Sequence, residues 1–306
     1  MTERPSSAGP GRLVLVATPI GNLGDLSPRA AAALTDADLV ACEDTRRTRT
    51  LLSAAGISGK RLLSVHDANE AKRAEDLTAR LTAGTTVVLV SDAGTPAVSD
   101  PGQRVVAAAV AAGIEVVAVP GPSAVIAALV LSGLPTDRFV FEGFLPRKGV
   151  ERARRLAALA AERSTTVLYE APHRVVRTVD DLAAACGEGR RVALARELTK
   201  VHEEVWRSTL GQALEALAVT PPRGEYVVVV EGAAEPAAAE DTDIEAALVA
   251  AFNAGHDRRG AVAAVATALD ARRRRVYELA LRLPPPAPPP PEAQSAAHAA
   301  HTARPR

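Results

Sequence analysis

The stretch TVVLVSDAGTPAVSDPGQRVVAAAVAAGIEVVAVPGPSA, residues 86–124, decides the fold class. A Val/Leu run (86–92) enters a Gly/Pro loop, an Ala/Val segment follows, and a second run (115–120) ends in Pro120-Gly121-Pro122. Continuous apolar runs of strand length, joined by helix-length segments, are the pattern of parallel strands buried on both faces. In such sheets ligands collect beyond the carboxyl ends of the strands, so the loops at 92–102 and 120–124 are the expected bed for one. Val105 to Thr136 has Glu115 as its only charge, but Gly113 and the Pro-Gly-Pro break it into pieces below the roughly 20 apolar residues a membrane span needs. A helix, a strand, a loop and a second helix account for it.

The same rhythm extends outward in both directions. LVLVA (13–17) and DLVAC (38–42) read as further strands, TPIGNLGDLSP (18–28) as a third Gly/Pro loop after a strand, and Glu70 to Ala83 as a helix. A second series follows: FVFEGF (139–144), a helix from about Val150 to Arg163, TTVLYE (165–170), a helix from about His173 to Ala185, VALARE (192–197), EVWRST (204–209) and EYVVVVEG (225–232). Ile244 to Leu283 reads as about three short helices. The expected organisation is a disordered start (1–12), an N-terminal α/β domain (13–135), a C-terminal α/β domain (136–232), a linker (233–242), a small helical domain (243–283) and a Pro/Ala-rich disordered tail (284–306) holding eight of the 22 prolines.

Charge and cysteine narrow the function classes. Lys plus Arg equals Asp plus Glu at 36 each, which argues against bulk positive charge as the means of holding nucleic acid. Neutrality persists in each half, yet His256 to Arg282 carries seven Arg against three acids. Two cysteines, Cys42 and Cys186, make no disulfide framework or zinc quartet and fit a reducing cytoplasm. The first 12 residues have no apolar core and do not read as a secretory signal.

The ligand loops lack both the dinucleotide fingerprint and the P-loop pattern. No Lys or Arg lies within 92–102 or 120–124, so they suit a phosphate-free ligand with an adenosine and an amino-acid portion better than a phosphate-rich one.

ATPIGNLGDLSPRA, CEDTRRT, LVSDAGTPAVSDPG, VPGPSAVIAALVLSGLPTDRFVFEGFLPRK, LYEAPHRVVRTVDDL, ALARELTKVHEE and GEYVVVVEG, in this order, resemble the bacterial ribosomal RNA small-subunit methyltransferase I family from about Leu13 to Gly232. The resemblance implies the tetrapyrrole-methylase superfamily: two α/β domains with S-adenosylmethionine in the cleft between them, usually in a homodimer. It also implies a small C-terminal helix-turn-helix-like unit. The implied reaction is methylation of the ribose 2′-hydroxyl of a cytidine in the decoding region of 16S ribosomal RNA, on the naked RNA or the small subunit, in the cytoplasm, with no membrane or DNA partner. Where the family commonly has a second His after His66 and Asp67, this chain has Ala68.

Carried onto this sequence, the family's cofactor bed falls on Pro19, Asp92, Gly94, Thr95, Pro96, Val98, Pro120, Ser123, Ala124 and Tyr169. A base must accept the hydroxyl proton. The candidates are Glu170 and His173 of YEAPHR, Glu197 and Lys200 of RELTK, and His202, Glu203 and Glu204 just after, and the sequence does not choose among them. A metal is not expected, because the second His of an H-E-x-x-H helix is absent: position 206 is Trp. Arg147, Lys148, Arg174 and Arg196 are expected to meet RNA phosphates, as are Arg272, Arg273 and Arg274 on a basic second helix of the appendage. Arg46, Arg47 and Arg49 form another cluster, partly neutralised by Glu43 and Asp44. Rival readings are a methylase of a small tetrapyrrole on the same fold and a noncatalytic RNA-binding ribosome-assembly protein.

Overall fold

Alternating side chains of one set of apolar runs build a sheet with two buried faces. In the computed structural model, which describes residues 11–234 and 239–284, these runs are β1 (Arg12–Val16), β2 (Leu39–Cys42), β3 (Leu62–Ser64), β4 (Val87–Val90) and β5 (Glu115–Val119). All pair in parallel, in the order β3-β2-β4-β1-β5. Leu13, Leu39, Val87 and Leu89 pack on one face against α3 (Glu70–Thr82) and α4 (Gln103–Ala111). Val14, Val16, Val40 and Val88 pack on the other against α1 (Pro28–Asp36) and α2 (Thr45–Ala54). Coverage on both faces is why the strands read as unbroken apolar runs. The three-residue edge strand β3 was not expected, being too short to produce a periodic signal.

The second sheet is mixed. It contains β6 (Phe139–Phe144), β7 (Thr165–Glu170), β8 (Arg191–Arg196), β9 (Glu204–Thr209) and β10 (Tyr226–Val230) in the order β6-β7-β10-β8-β9. Only β6 and β7 are parallel, because β10 inserts antiparallel between β7 and β8, and β8 and β9 form a hairpin. One face is covered by α6 (Gly149–Ala161), α7 (Pro172–Cys186) and α8 (Leu210–Val219).

The other face is covered by α5 (Ala124–Ser132), which follows the first sheet in sequence yet packs Val125, Ala128 and Leu129 on Val167, Ala193, Val227 and Val229. Burying each large aliphatic there contributes on the order of 1.5–3 kcal/mol. This crossover holds the two sheets in one compact unit that ends at Ala233.

The chain after Ala233 forms a second compact unit. Helices α9 (Asp241–Asn253), α10 (Arg258–Ala268) and α11 (Arg273–Arg282) enclose a core of Ile244, Leu248, Val262, Val265, Val276 and Leu279. Of the expected disordered ends and linker, residues 1–10, 235–238 and 285–306 lie outside the described residues. Arg12 already belongs to β1, and α9 begins at Asp241, inside the expected linker. Among the described residues no helix is long and apolar enough to cross a membrane.

Candidate functional site

The loops that end β1, β4 and β5 are bound to one another before any ligand is considered. Thr18 and Gly94 exchange backbone hydrogen bonds of 2.9 and 3.0 Å, and Thr18 Oγ1 donates to the Ser91 carbonyl at 3.3 Å. The 92–102 loop is anchored at its far end by Glu70, whose nearly buried carboxylate accepts from the backbone N–H groups of Gly102 and Arg104, each at 2.8 Å. Those two amides lie at the start of α4, where Gly102 offers no capping side chain, so a carboxylate from α3 supplies the cap.

The loops wall a cavity of about 550 Å³, inside the range of small-molecule sites. Its other wall comes from the second sheet and is aromatic. Phe139, Phe141, Phe144, Tyr169 and Tyr226, five of the chain's eight aromatic residues, line it. Phe141 meets Tyr169 edge to face at 5.0 Å between centroids, and Phe144 lies 5.6 Å from the same ring. The close approach of the two walls depends on Gly143, which sits at the irregularity in β6 with φ +64°. A Cβ there would come within 2.9 Å of Ser99 Oγ.

Backbone strain concentrates here too. Of the five non-glycine residues with positive φ among those described, Ala97, Ser99, Glu197 and Thr199 lie in the two loops flanking the cavity. Such conformations cost about 1–3 kcal/mol each and persist where surrounding structure imposes them, as binding sites commonly do.

Three acids line this space: Glu170 is paired with Arg174, Glu225 with Lys200, and Asp100 with no cation among the described residues. Asp100 lines the cavity, and burial foremost pushes its carboxyl up to about 6, opposed by a hydrogen bond with Ser91 and reinforced to a lesser degree by Asp92 and Asp67. Burial, then the nearby Asp100, raises Tyr169 to about 12, so its hydroxyl keeps its proton. A half-buried carboxylate without a cation, ringed by aromatic faces, is a donor set that fits a positively charged ligand with a flat ring system.

The residues expected from the sequence divide in two. Gly94, Thr95, Val98, Ser123, Ala124 and Tyr169 line the cavity, and Ser123 also caps α5 by accepting from Ile126 N–H. Pro19, Asp92, Pro96 and Pro120 are not among the lining residues. Asp92 points instead to the CEDTRRT motif: it accepts from Asp44 N–H at 2.9 Å and stands 3.5 Å from Arg47 Nε. The cavity carboxylate without a cation is Asp100, eight residues on. The aromatic residues of FVFEGF and Asp100 were missed. Their signal was the scarcity of aromatics elsewhere, joined to an acid in a loop without cations.

The proton-acceptor candidates are brought together only in part: Glu197 and Lys200 are bonded to each other, and His173 stands apart from both. Glu170 reaches the cavity wall, but its carboxylate is buried and takes Thr178 Oγ1 at 2.6 Å, Ala171 N–H at 2.9 Å and Arg174 Nε at 3.1 Å, which leaves it a structural anion. Glu197 accepts from Lys200 Nζ at 2.8 Å and Glu225 N–H at 2.9 Å, and the Lys200 bond foremost holds its carboxyl low. Lys200 lines the cavity; burial favours its neutral form, but Glu197 and Glu225 outweigh burial and raise its pKa, so it stays an ammonium and cannot accept a proton at neutral pH. His173 lies outside the cavity. His202 is exposed, Glu203 accepts from Thr199 N–H, and Glu204 pairs with Arg196 at 3.6 Å.

His173, Arg147 and Arg174 instead line a second, smaller cavity, with Lys148 next to Arg147. Arg196 stands apart from them at the end of β8. In the helical unit Arg272 precedes α11, Arg273 opens it, and Arg274 pairs with Glu278 at 3.0 Å.

Comparison with known proteins agrees with this architecture. Residues 12–214 match the family model described as Tetrapyrrole (Corrin/Porphyrin) Methylases. The chain is 47% identical over 276 residues, 89% of its own length and 98% of the relative's, to "Ribosomal RNA small subunit methyltransferase I" of Synechocystis sp.. It is 52% identical over 225 residues, 73% of its length and 79% of the relative's, to the protein of the same name from Mycobacterium bovis. Among solved structures, uroporphyrin-III C-methyl transferase from Thermus thermophilus, complexed with S-adenyl homocysteine, shares the fold at a TM-score of 0.51 and 20% identity, covering 72% of this chain and 97% of that one.

Proposed function

The chain belongs to the ribosomal RNA small subunit methyltransferase I family, and on that premise we propose that it methylates the ribose 2′-hydroxyl of a cytidine in the decoding region of 16S ribosomal RNA, using S-adenosylmethionine. The carrying observation is the 550 Å³ cavity with an aromatic wall and an unpaired Asp100. When bound, the cofactor supplies an electrophilic methyl group on a positively charged sulfur.

Asp100 is the anion for the cofactor's positive end, which carries a sulfonium and an ammonium. Phe141, Phe144 and Tyr169 offer ring faces to the adenine. The backbones of Gly94, Thr95 and Ala124 hold its polar edges, and the absence of cations from these loops matches the absence of phosphate. The two walls would hold cofactor and ribose side by side, and that positioning would supply the main part of the rate for a transfer of this kind, with the hydroxyl proton passing to solvent. The Lys200 ammonium at the rim, held by Glu197 and Glu225, faces the approaching polyanion.

Arg147, Lys148 and Arg174 serve the RNA backbone, as do Arg272, Arg273 and Arg274 of the helical unit. The reading places the protein in the cytoplasm as a homodimer, for which Val130 of α5 exposes apolar surface. Sedimentation as a monomer at micromolar concentration would remove the dimer from it.

The deciding experiment incubates the protein with methyl-labelled S-adenosylmethionine and either isolated small subunits, naked 16S RNA or a porphyrinoid. Label in RNA as an alkali-stable dinucleotide is expected, because a 2′-O-methyl group blocks alkaline cleavage at that linkage. Label only in the porphyrinoid, or RNA binding without transfer, would overturn the reading.

A further inference from the structure

The second cavity, about 300 Å³, is lined by Arg147, Arg152, His173, Arg174, Arg177 and Thr178. Four guanidinium groups converge there against two carboxylates, Glu170 and Asp181. Arg152 is buried and spent on structure, since it donates to Asp181 at 2.7 Å, the Pro146 carbonyl at 2.9 Å and Thr178 Oγ1 at 3.1 Å. Arg174 is half spent, on Glu170 and the Leu145 carbonyl. Arg177 stands 3.8 Å from Asp181 and is mostly exposed, while Arg147 and His173 are exposed with no partner among the described residues. The buried pairs thus make a rigid floor, and Arg147, His173 and Arg177 are donors left over at the opening.

The topology adds a second contribution. β6 and β7 are the parallel pair of the second sheet, so α6 and α7, which follow them, begin on the same edge. Neither N-cap side chain, Lys148 or Ala171, accepts a hydrogen bond, and α7 has Pro172 in its first turn, although Glu170 takes Ala171 N–H and Glu151 stands in the first turn of α6. Both helices, 13 and 15 residues long, therefore bring the positive ends of their dipoles to the edge where these cations gather. Planar forked donors beside helix N-termini suit an oxyanion such as a phosphate rather than a neutral or cationic ligand.

This cavity adjoins the first one. Phe144 lines the cofactor cavity and Arg147, three residues on, lines the second; Glu170 lines the first and binds Arg174 of the second at 3.1 Å. The geometry points to a seat for a single backbone phosphate of the RNA next to the ribose offered for methylation, with His173 a phosphate ligand and not the base. The inference rests on the RNA-methyltransferase reading and extends it to one socket with named donors.

The test measures binding of a fluorescent 16S-derived RNA hairpin to the full chain from 50 to 300 mM salt, together with S-adenosylmethionine affinity by calorimetry. Arg147→Gln/Arg177→Gln should weaken RNA binding roughly tenfold at low salt and flatten the slope of log K against log salt by about 0.7–0.9, one phosphate's worth. His173→Gln should weaken binding less, and cofactor affinity should not change in either variant. Arg73→Gln/Arg80→Gln on α3, which removes the same charge far from the cavity in sequence, should leave the slope as in the wild type. An unchanged slope in the Arg147/Arg177 variant, an equal loss in the α3 control, or no RNA binding by the wild type overturns the socket. If the double variant has a lowered thermal midpoint, Arg147→Gln alone, an exposed and unpartnered site, decides by the same slope. Methyl transfer by the wild type is scored separately: absent transfer with the binding pattern intact defeats the methylation reading and leaves the socket standing.

Discussion

Asp100 shows how little of a residue's role its neighbours in sequence reveal. LVSDAGTPAVSDPG holds two Asp residues, and the more prominent, next to the strand, goes to Asp44 and Arg47 while the second enters the cavity. A carboxyl raised to about 6 in the free protein must ionise to receive a cation, and the bound cation lowers its pKa. Cofactor affinity is therefore full above pH 6 and falls as the pH drops through it. Asp100→Asn should weaken binding roughly tenfold or more at pH 7.5 and flatten that pH profile, as titration calorimetry would show. The same shift carries the opposite consequence for stability. A carboxyl raised above its ordinary value of 3.8 makes the folded state bind more protons than the unfolded one, so the ligand-free protein loses stability as the pH rises from about 4 to 6. Asp100→Asn should raise the ligand-free thermal midpoint at pH 7.5 by roughly 2–4 °C while impairing binding, a combination a merely structural residue would not give.

At the scale of elements, α4 and the loop before it depend on a carboxylate from another helix. Glu70 takes two N–H donors from the loop end, and its Ala variant leaves both unsatisfied at a helix start. Glu70→Ala should cost about 2–3 kcal/mol in chemical denaturation and weaken cofactor binding as well, since the loop it anchors is the cavity wall. In β6, Gly143→Ala places a Cβ against Ser99 Oγ with the backbone at φ +64° and should cost about 1–2 kcal/mol. Strand and helix identities were legible in the sequence, because runs such as 87–90 and 226–230 are unbroken apolar segments. Pairing direction in the second sheet was not: β10 inserts between β7 and β8 through contacts among residues some 30 to 60 positions apart, which no local pattern encodes.

At the scale of the molecule, neutral net charge limits the protein to placed cations, and it concentrates them. One group lies at the start of α6 and α7, and another on α11 of the separate helical unit, whose own core of Ile244, Leu248, Val265 and Val276 makes it a self-supporting element. Ending the chain after Ala233 should leave cofactor affinity unchanged and reduce RNA affinity several-fold, with a shallower salt slope. Unchanged RNA affinity would remove the helical unit from the RNA interface.

The sequence by itself determined the element types, the parallel first sheet, the family and the loops that wall the cavity, because each is written in local periodicity or in contiguous motifs. The tertiary structure decided which side chains meet. It sent Asp92 outward and Asp100 inward, laid α5 on the second sheet, gathered five aromatic residues onto one wall and separated His173 from Glu197 and Lys200. Burial, ion pairing and the direction of a side chain depend on residues distant in sequence that packing brings within a few ångströms, and only the folded chain contains those distances.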